Sequence, residues 1–325
     1  MTRVILVTGG AGYIGSQLIR DLAADPDFQH DTIRIYDNMQ RGHYCALMDL
    51  PQKCRYQFVE GDILDRLTLA DAMRDVWAVV HLAAVVKTPI SFDHPQWTEQ
   101  VNHWGTATVV DQAAQAGVER LIYTCSASVY GPGGPFREGD PCSPVGPYSI
   151  SKLQGEQVVM EVGYQRGLQV TSLRLATTVG DAPGVRFEAE ANHVAYLAGV
   201  GRPVVVQGDG QQRRPLIHVR DASGAIRFCL KTKATEGQVL NAVKQNTSMN
   251  ELVEAVRQII PAAPVRYTAQ NALTSWSFEV DGGRLESLGF VPQLTIADGL
   301  GELIARLSPL GCTPPAGADL LEELE

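Results

Sequence analysis

The chain has 325 residues, 45% hydrophobic and 19% charged, with 31 Gly and 18 Pro. That length gives one large domain or two modest ones with an ample core, and the balance excludes a disordered, collagen-like or repeat-biased chain. Lys and Arg number 27 against 36 Asp and Glu, a formal net charge of -9. Such a surface repels phosphodiester backbones, so no nucleic-acid partner is expected. No apolar run approaches the ~18–20 residues of a membrane span, so no membrane partner is expected either. The six cysteines include no Cys-x-x-Cys pair and the seven histidines no His-Glu-x-x-His. A metal site is therefore not expected, and the setting is predicted to be reducing and cytoplasmic. The N-terminal apolar residues lead straight into a glycine loop, which reads as mature structure rather than a leader.

In chain order, residues 4–7 read as a buried strand and 13–24 as an amphipathic helix. Strands follow at 32–36, 56–59 and 78–82, then a helix at 96–116, a strand at 120–124, a helix at 148–166 and a strand at 170–175. Strands that are nearly continuous in apolar residues, alternating with helices, imply a parallel sheet buried on both faces. Beyond residue 175 the pattern changes. Residues 177–215 are rich in Gly, Pro and charge, with a helical stretch at 192–200. Residues 216–219 read as a return to the sheet, 221–230 as a helix and 239–242 as a further strand. Ser248 and Glu251 form a capping box opening a helix at 249–259. Shorter elements fill 265–307, and 311–325 reads as a solvated tail.

The first strand opens onto Thr8-Gly9-Gly10-Ala11-Gly12-Tyr13-Ile14-Gly15. Glycines at 9, 12 and 15 let a backbone approach a pyrophosphate at a helix N-terminus, where N–H groups and the positive dipole end point at the ligand. The spacing is Gly-x-x-Gly-x-x-Gly. Asp37 ends the second strand 22 positions after Gly15. An acid there accepts hydrogen bonds from an adenosine ribose and repels a 2′-phosphate, so NAD is favoured over NADP. The nearby Arg41 works against that preference.

Tyr148 and Lys152 stand at i and i+4 on one helical face. A free tyrosine ionises near pH ~10, too high for a neutral-pH base. A neighbouring ammonium stabilises the phenolate and lowers that value. Ser126, at the end of the fifth strand, is placed where open α/β sheets hold ligands and can hydrogen-bond a reacting hydroxyl. His81 and Cys125 read as core residues, Trp97 and Trp104 as helix packing, and Asn102 as a support for its helix through a structural water.

With these residues in hand, the chain resembles an extended short-chain dehydrogenase/reductase of the NAD-dependent epimerase/dehydratase family. The likeness covers about residues 3–305. It is carried by residues 8–15, Asp37-Asn38, Gly61-Asp62-Ile63, His81-Leu82-Ala83-Ala84, Asn102, Ser126-Ala127-Ser128-Val129-Tyr130-Gly131, 148–152, Leu173-Arg174-Leu175, Gly208-Asp209-Gly210 through Ile217-His218-Val219, and the Asn241 segment. The resemblance implies an α/β fold, a Rossmann-type doubly wound parallel sheet with a smaller α/β C-terminal substrate domain. The cofactor domain would be 1–176 with 216–242, and the substrate domain 177–215 with 243–310. It implies NAD held by Gly9, Gly12, Tyr13, Ile14, Gly15, Asp37, Asn38, Leu82, Ala83 and Ala84, with Asp62 and Ile63 flanking adenine. Ala83, Tyr148 and Lys152 would lie along the nicotinamide half, with Ser126, Tyr148 and Lys152 catalytic and Tyr148 the base. Lys87, Ser128, Thr177 and Arg214 would face a nucleoside-diphosphate sugar. A homodimer through helices 96–116 and 148–166 is implied as well.

The reaction so implied is epimerisation of a sugar nucleotide at C4 through a transient ketone. A ketoreductase or dehydrogenase of a sugar nucleotide or small hydroxy-ketone, using NAD(P), is the alternative; an NAD-binding module has no use for a base beside nicotinamide. The family's dehydratases carry an acid pair where this chain has Ala127-Ser128, so 4,6-dehydration is not expected. Gly208-Asp209-Gly210-Gln211-Gln212-Arg213-Arg214 keeps the register that makes Arg214 a diphosphate anchor. Two departures stand beside it. Ala176-Thr177 replaces the family's Phe-Asn, and residues 270–275 hold no arginine, Arg266 lying too early in sequence to replace it.

Overall fold

A computed structural model of the chain describes residues 3–86, 88–269 and 276–310. Lys87 and the predicted tail 311–325 lie outside them. Seven parallel strands form the central sheet, numbered along the chain in the order 3-2-1-4-5-6-7. They are Val4–Thr8, Thr32–Asp37, Arg55–Glu60, Val76–His81, Arg120–Ser126, Gln169–Leu175 and Gln238–Ala242. The central strands are apolar at nearly every position because both faces are covered. Ile5, Leu6, Val7, Val79, Val80, Leu121 and Ile122 are all fully buried. Helix Tyr13–Ala24 packs with Val219–Lys231, and Thr106–Gln115 packs with the helical segment 158–163. The order reverses between the first and fourth strands, which opens a crevice at their C-terminal ends.

The predicted return of 216–219 to this sheet is corrected. Strand Arg213–His218 instead pairs in parallel with Thr177–Val179 and antiparallel with Gln245–Ser248, forming a separate three-stranded sheet. The reason is edge occupancy. The outer edge of Gln169–Leu175 is already taken by Gln238–Ala242, in register from Thr171 to Leu175. A second core lies under the small sheet, where helices Glu190–Gly199, Met249–Ile259 and Ile296–Leu307 meet through Val194, Leu252, Leu300 and Leu303. The Ser248 capping box forms as expected, Glu251 N donating to Ser248 Oγ at 3.2 Å and Ser248 N to Glu251 Oε2 at 2.7 Å.

The helix expected at 96–116 is also different in detail. It opens as Pro95–Glu99, widens through a π-type turn at Gln100–Gly105, and continues as Thr106–Gln115. Thr106 Oγ1 donates to Asn102 O at 2.7 Å, a side-chain bond that competes with the regular ladder at this turn. Trp104, expected to pack, is 65% exposed.

Candidate active site

The glycine loop leaves the first strand with Gly9 at φ +67°, and a Cβ there would stand 2.7 Å from Ala83 N. A Cβ on Gly15 would fall against Gly9 O and within 2.7 Å of Gly10 Cα. Both glycines are therefore required for the loop to fold against the fourth strand and for the first helix to start so close to the sheet. Asp37 braces the loop from the neighbouring strand, its Oδ2 accepting from Ala11 N at 3.0 Å and its Oδ1 from Met39 N at 2.9 Å. Next to it, Asn38 Nδ2 donates to Asp62 Oδ2 at 2.9 Å, and Tyr36 OH to Asp62 O at 2.7 Å.

The loop after the fourth strand is fixed from two sides. Buried His81 bridges Thr8 Oγ1 (2.7 Å) and Thr106 Oγ1 (3.0 Å), the core role expected of it; burial pushes its pKa down to about 3. Asn102 clasps Val85 directly, accepting from its N–H at 2.7 Å and donating to its carbonyl at 2.9 Å.

The wall that carries the candidate catalytic residues comes from the fifth strand and helix Pro147–Gln157. Ser126 Oγ lies 2.9 Å from Ser128 Oγ, which accepts from Ser149 Oγ at 2.9 Å. Lys152 is buried, its Nζ 4.3 Å over the Tyr123 ring. Burial pushes its pKa down to about 8, against the pull of Cys125 and Glu156. Burial likewise pushes the Tyr148 hydroxyl up, while its hydrogen bond with Ser126 and the charge of Arg186 act the other way. Cys125 packs in the core as expected.

One cavity of about 1450 Å3 joins these parts. Its wall includes Gly9, Gly12, Tyr13, Ile14, Gly15, Asp37, Asn38, Asp62, Ile63, Leu82, Ala83 and Ala84, and also Ser126, Ser128, Tyr148, Lys152, Thr177 and Arg214. Every site residue predicted from sequence within the described residues thus borders one space, larger than a single drug-sized ligand needs. Tyr13 differs in how it does so. Its ring is buried, and its hydroxyl donates to Gly180 O at 2.5 Å, so only its backbone is left for a cofactor.

Arg214 is embedded rather than extended into the cavity. It donates to the carbonyls of Trp276 and Arg213, lies 5.5 Å from the ring centres of Trp276 and Phe278, and faces Glu190 at 3.9 Å. Arg266, expected to lie too early in sequence, borders the same end of the cavity from strand Val265–Thr268. That strand pairs with Val204–Gln207, a contact sequence spacing cannot show. Sequence reasoning also missed Ser149, Arg186, Glu188 and Glu190. Ser149 sits next to Tyr148 in the motif and was readable there. The other three lie on a stretch without periodicity, brought in because Gly184 N donates to Ser16 Oγ at 3.0 Å.

A glycine loop, an acid at the end of the second strand and a Ser/Tyr/Lys wall border one cavity, and the chain matches a known family over most of its length. The model of the NAD dependent epimerase/dehydratase family matches residues 5–242. The chain belongs to this family. It is accordingly an enzyme of the extended short-chain dehydrogenase/reductase type with NAD as its cofactor. The UDP-glucose 4-epimerase of Azospirillum brasilense is 30% identical, over 91% of this chain and 89% of its own. The dTDP-glucose 4,6-dehydratase of Streptomyces griseus is also 30% identical, over 94% of each. Among solved structures, MoeE5 in complex with UDP-glucuronic acid and NAD is 28% identical, with a TM-score of 0.81 over 93% of this chain and 97% of that one. Family membership accounts for the fold and the cofactor, and leaves the choice between the family's reactions to the residues of the catalytic wall.

Proposed function

We propose that this enzyme epimerises a nucleoside-diphosphate sugar at C4. The observation that carries the reading is the chemistry of the catalytic wall. Ser126, which hydrogen-bonds the Tyr148 hydroxyl, continues into Ser128 and Ser149 as a chain of hydroxyls that contains no acid. Among the described residues the acids bordering the cavity are Asp37, Asp62, Glu188 and Glu190, none of them on the Ser126–Ser128 turn or the Tyr148 helix. Eliminating water from a sugar needs a proton donor and an acceptor beyond the oxidising tyrosine. Epimerisation needs only the tyrosine and a hydride that leaves one face and returns to the other. Tyr148 takes the hydroxyl proton, Lys152 stabilises the phenolate, and Ser126 holds the reacting oxygen. NAD, along residues 9–15, Asp37, Asp62 and Ala83, supplies the hydride acceptor and donor. Epimerases of UDP-sugars among its relatives support this reading.

The test is a panel of nucleoside-diphosphate sugars followed by NMR. The expected product is the C4 epimer, with NAD retained by the protein. A 4-keto-6-deoxy sugar would overturn the epimerase assignment, and net oxidation with released NADH would favour the ketoreductase. In the same panel, Arg214→Ala is expected to raise KM about tenfold or more, since a guanidinium forks onto phosphate oxygens. Binding then exchanges Glu190 for the diphosphate. The Glu190 carboxyl is already pushed up by burial, against the pull of Arg214. An unchanged KM would place the diphosphate elsewhere, with Arg266 the next cation to test.

The cofactor domain is proposed as 1–176 with 219–242, and the substrate domain as 177–218 with 243–310, since strand Arg213–His218 lies in the small sheet. We also propose a homodimer through the two helical segments that carry Trp104 and Tyr148. Trp104, Ile150 and Tyr164 are 65%, 43% and 72% exposed. Sedimentation at monomer mass at micromolar concentration would rule this out. The five described cysteines are free thiols, which supports a reducing, cytoplasmic setting.

A further inference from the structure

The chain carries both of the side chains by which Rossmann domains choose between their two nicotinamide cofactors. Asp37 ends the second strand, where an acid serves the ribose 2′-hydroxyl of NAD, and Arg41 follows on the adjoining loop, where an arginine accommodates the 2′-phosphate of NADP. Both border the cavity. A third residue pairs with one of them. Arg41 Nη1 lies 2.9 Å from Glu188 Oε1, a cavity-lining residue 147 positions later in the chain. Each side chain is about one third exposed, at 37% and 33%. Glu188 Oε1 is also 3.3 Å from Arg186 Nε, and Arg186 Nη2 donates to Val86 O at 3.3 Å.

We propose that Glu188 makes the enzyme select NAD over NADP, by occupying the guanidinium that would otherwise bind a 2′-phosphate. The inference rests on the assignment of NAD to this cavity. With Glu188 in place, an incoming phosphate meets a neutralised arginine and the Asp37 carboxylate, whose two oxygens already hold the Ala11 and Met39 N–H groups. To bind, it must displace one carboxylate and approach another. A ribose hydroxyl needs neither. Glu188 remains charged at any working pH. Burial opposes that charge, but hydrogen bonds from its own backbone and from Arg41, with the charge of Arg186, hold its carboxyl at about 2.

The test is nucleotide exchange on the intact protein. Wild type, Glu188→Gln, Arg41→Ala and the double variant are each brought to equilibrium with an equimolar NAD+ and NADP+ mixture. Retained nucleotide is then released and quantified by chromatography. Wild type is expected to hold NAD+ almost alone. Glu188→Gln should shift the retained ratio toward NADP+ by about tenfold or more, the scale of one charge-assisted arginine–phosphate contact. The double variant should lose that gain, because Arg41 supplies the new contact, and Arg41→Ala alone should change the ratio little. If Glu188 only pins its loop, Glu188→Gln weakens both nucleotides together and leaves the ratio unchanged, which overturns the inference. A gain that persists in the double variant overturns it too, pointing to Arg186. Wild type that retains neither nucleotide overturns the cofactor site itself, so the two failures are distinguishable.

Discussion

Tyr148→Phe is expected to lower turnover about a thousandfold while sugar-nucleotide and NAD binding persist, the usual scale for losing a positioned general base. The variant removes one hydroxyl and leaves the ring that borders the cavity. Turnover within a few fold of wild type would end the tyrosine mechanism. The pH profile gives a second, independent reading. Burial pushes the Tyr148 hydroxyl up, and the phenolate is the active form, so kcat/KM is expected to rise with pH through its ionisation and to fall tenfold per unit below it. Burial pushes Lys152 down to about 8, so its charge, and the support it gives the phenolate, is lost toward alkaline pH. In the proposed mechanism the ammonium and the phenolate stabilise one another, so the two would titrate as a pair. Lys152→Met should therefore move the acid limb of the profile to higher pH as well as slow the reaction. An acid limb that stays in place would mean that the ammonium holds substrate or cofactor rather than tuning the tyrosine.

The cofactor half of this site was legible in the sequence because its signals are local. A glycine spacing, an acid at a strand end and a tyrosine four residues before a lysine each lie within one turn or one element. The strand alternation then fixes where those elements end. The substrate half was not legible in the same way. Glu188 reaches Arg41 only because the stretch after Thr177–Val179 is tied down on the first helix through Gly184 and Ser16. Arg266 enters the cavity through strand pairing with Val204–Gln207. Neither relation leaves a periodic trace. The misplacement of 216–219 has the same origin: apolar alternation identifies a strand but not the edge it joins, and here the central edge was occupied by Gln238–Ala242.

The second large effect concerns what holds the catalytic helix in place. Glu156 stands one turn beyond Lys152, and Arg174 lies on the strand Gln169–Leu175 beneath it. Arg174 Nη2 donates to Glu156 Oε1 at 2.6 Å, its Nε reaches both carboxylate oxygens at 3.1–3.2 Å, and Ser172 Oγ adds a bond at 2.8 Å. The side chains are 7% and 5% exposed. Burial works against the Arg174 charge, and the bonds and charge of Glu156 overcome it, raising its pKa above the usual guanidinium value. Glu156→Ala leaves that guanidinium buried without its carboxylate, which costs about 3–5 kcal/mol, or about 4–7 °C of melting temperature for a chain of this length. The arginine also lies 4.8 Å over the Tyr130 ring, a contact too weak to replace a buried counter-charge. Replacing both members, Glu156→Leu with Arg174→Met, is expected to recover much of the lost stability, because no buried charge is then left unpaired. Turnover separates stability from positioning. If the pair also sets the angle at which the helix presents Tyr148 and Lys152, the double variant regains its melting temperature but keeps a reduced kcat with KM little changed. A double variant that recovers both would show that the pair only stabilises the fold, and a single variant that melts like wild type would show that the cavity admits water to the guanidinium.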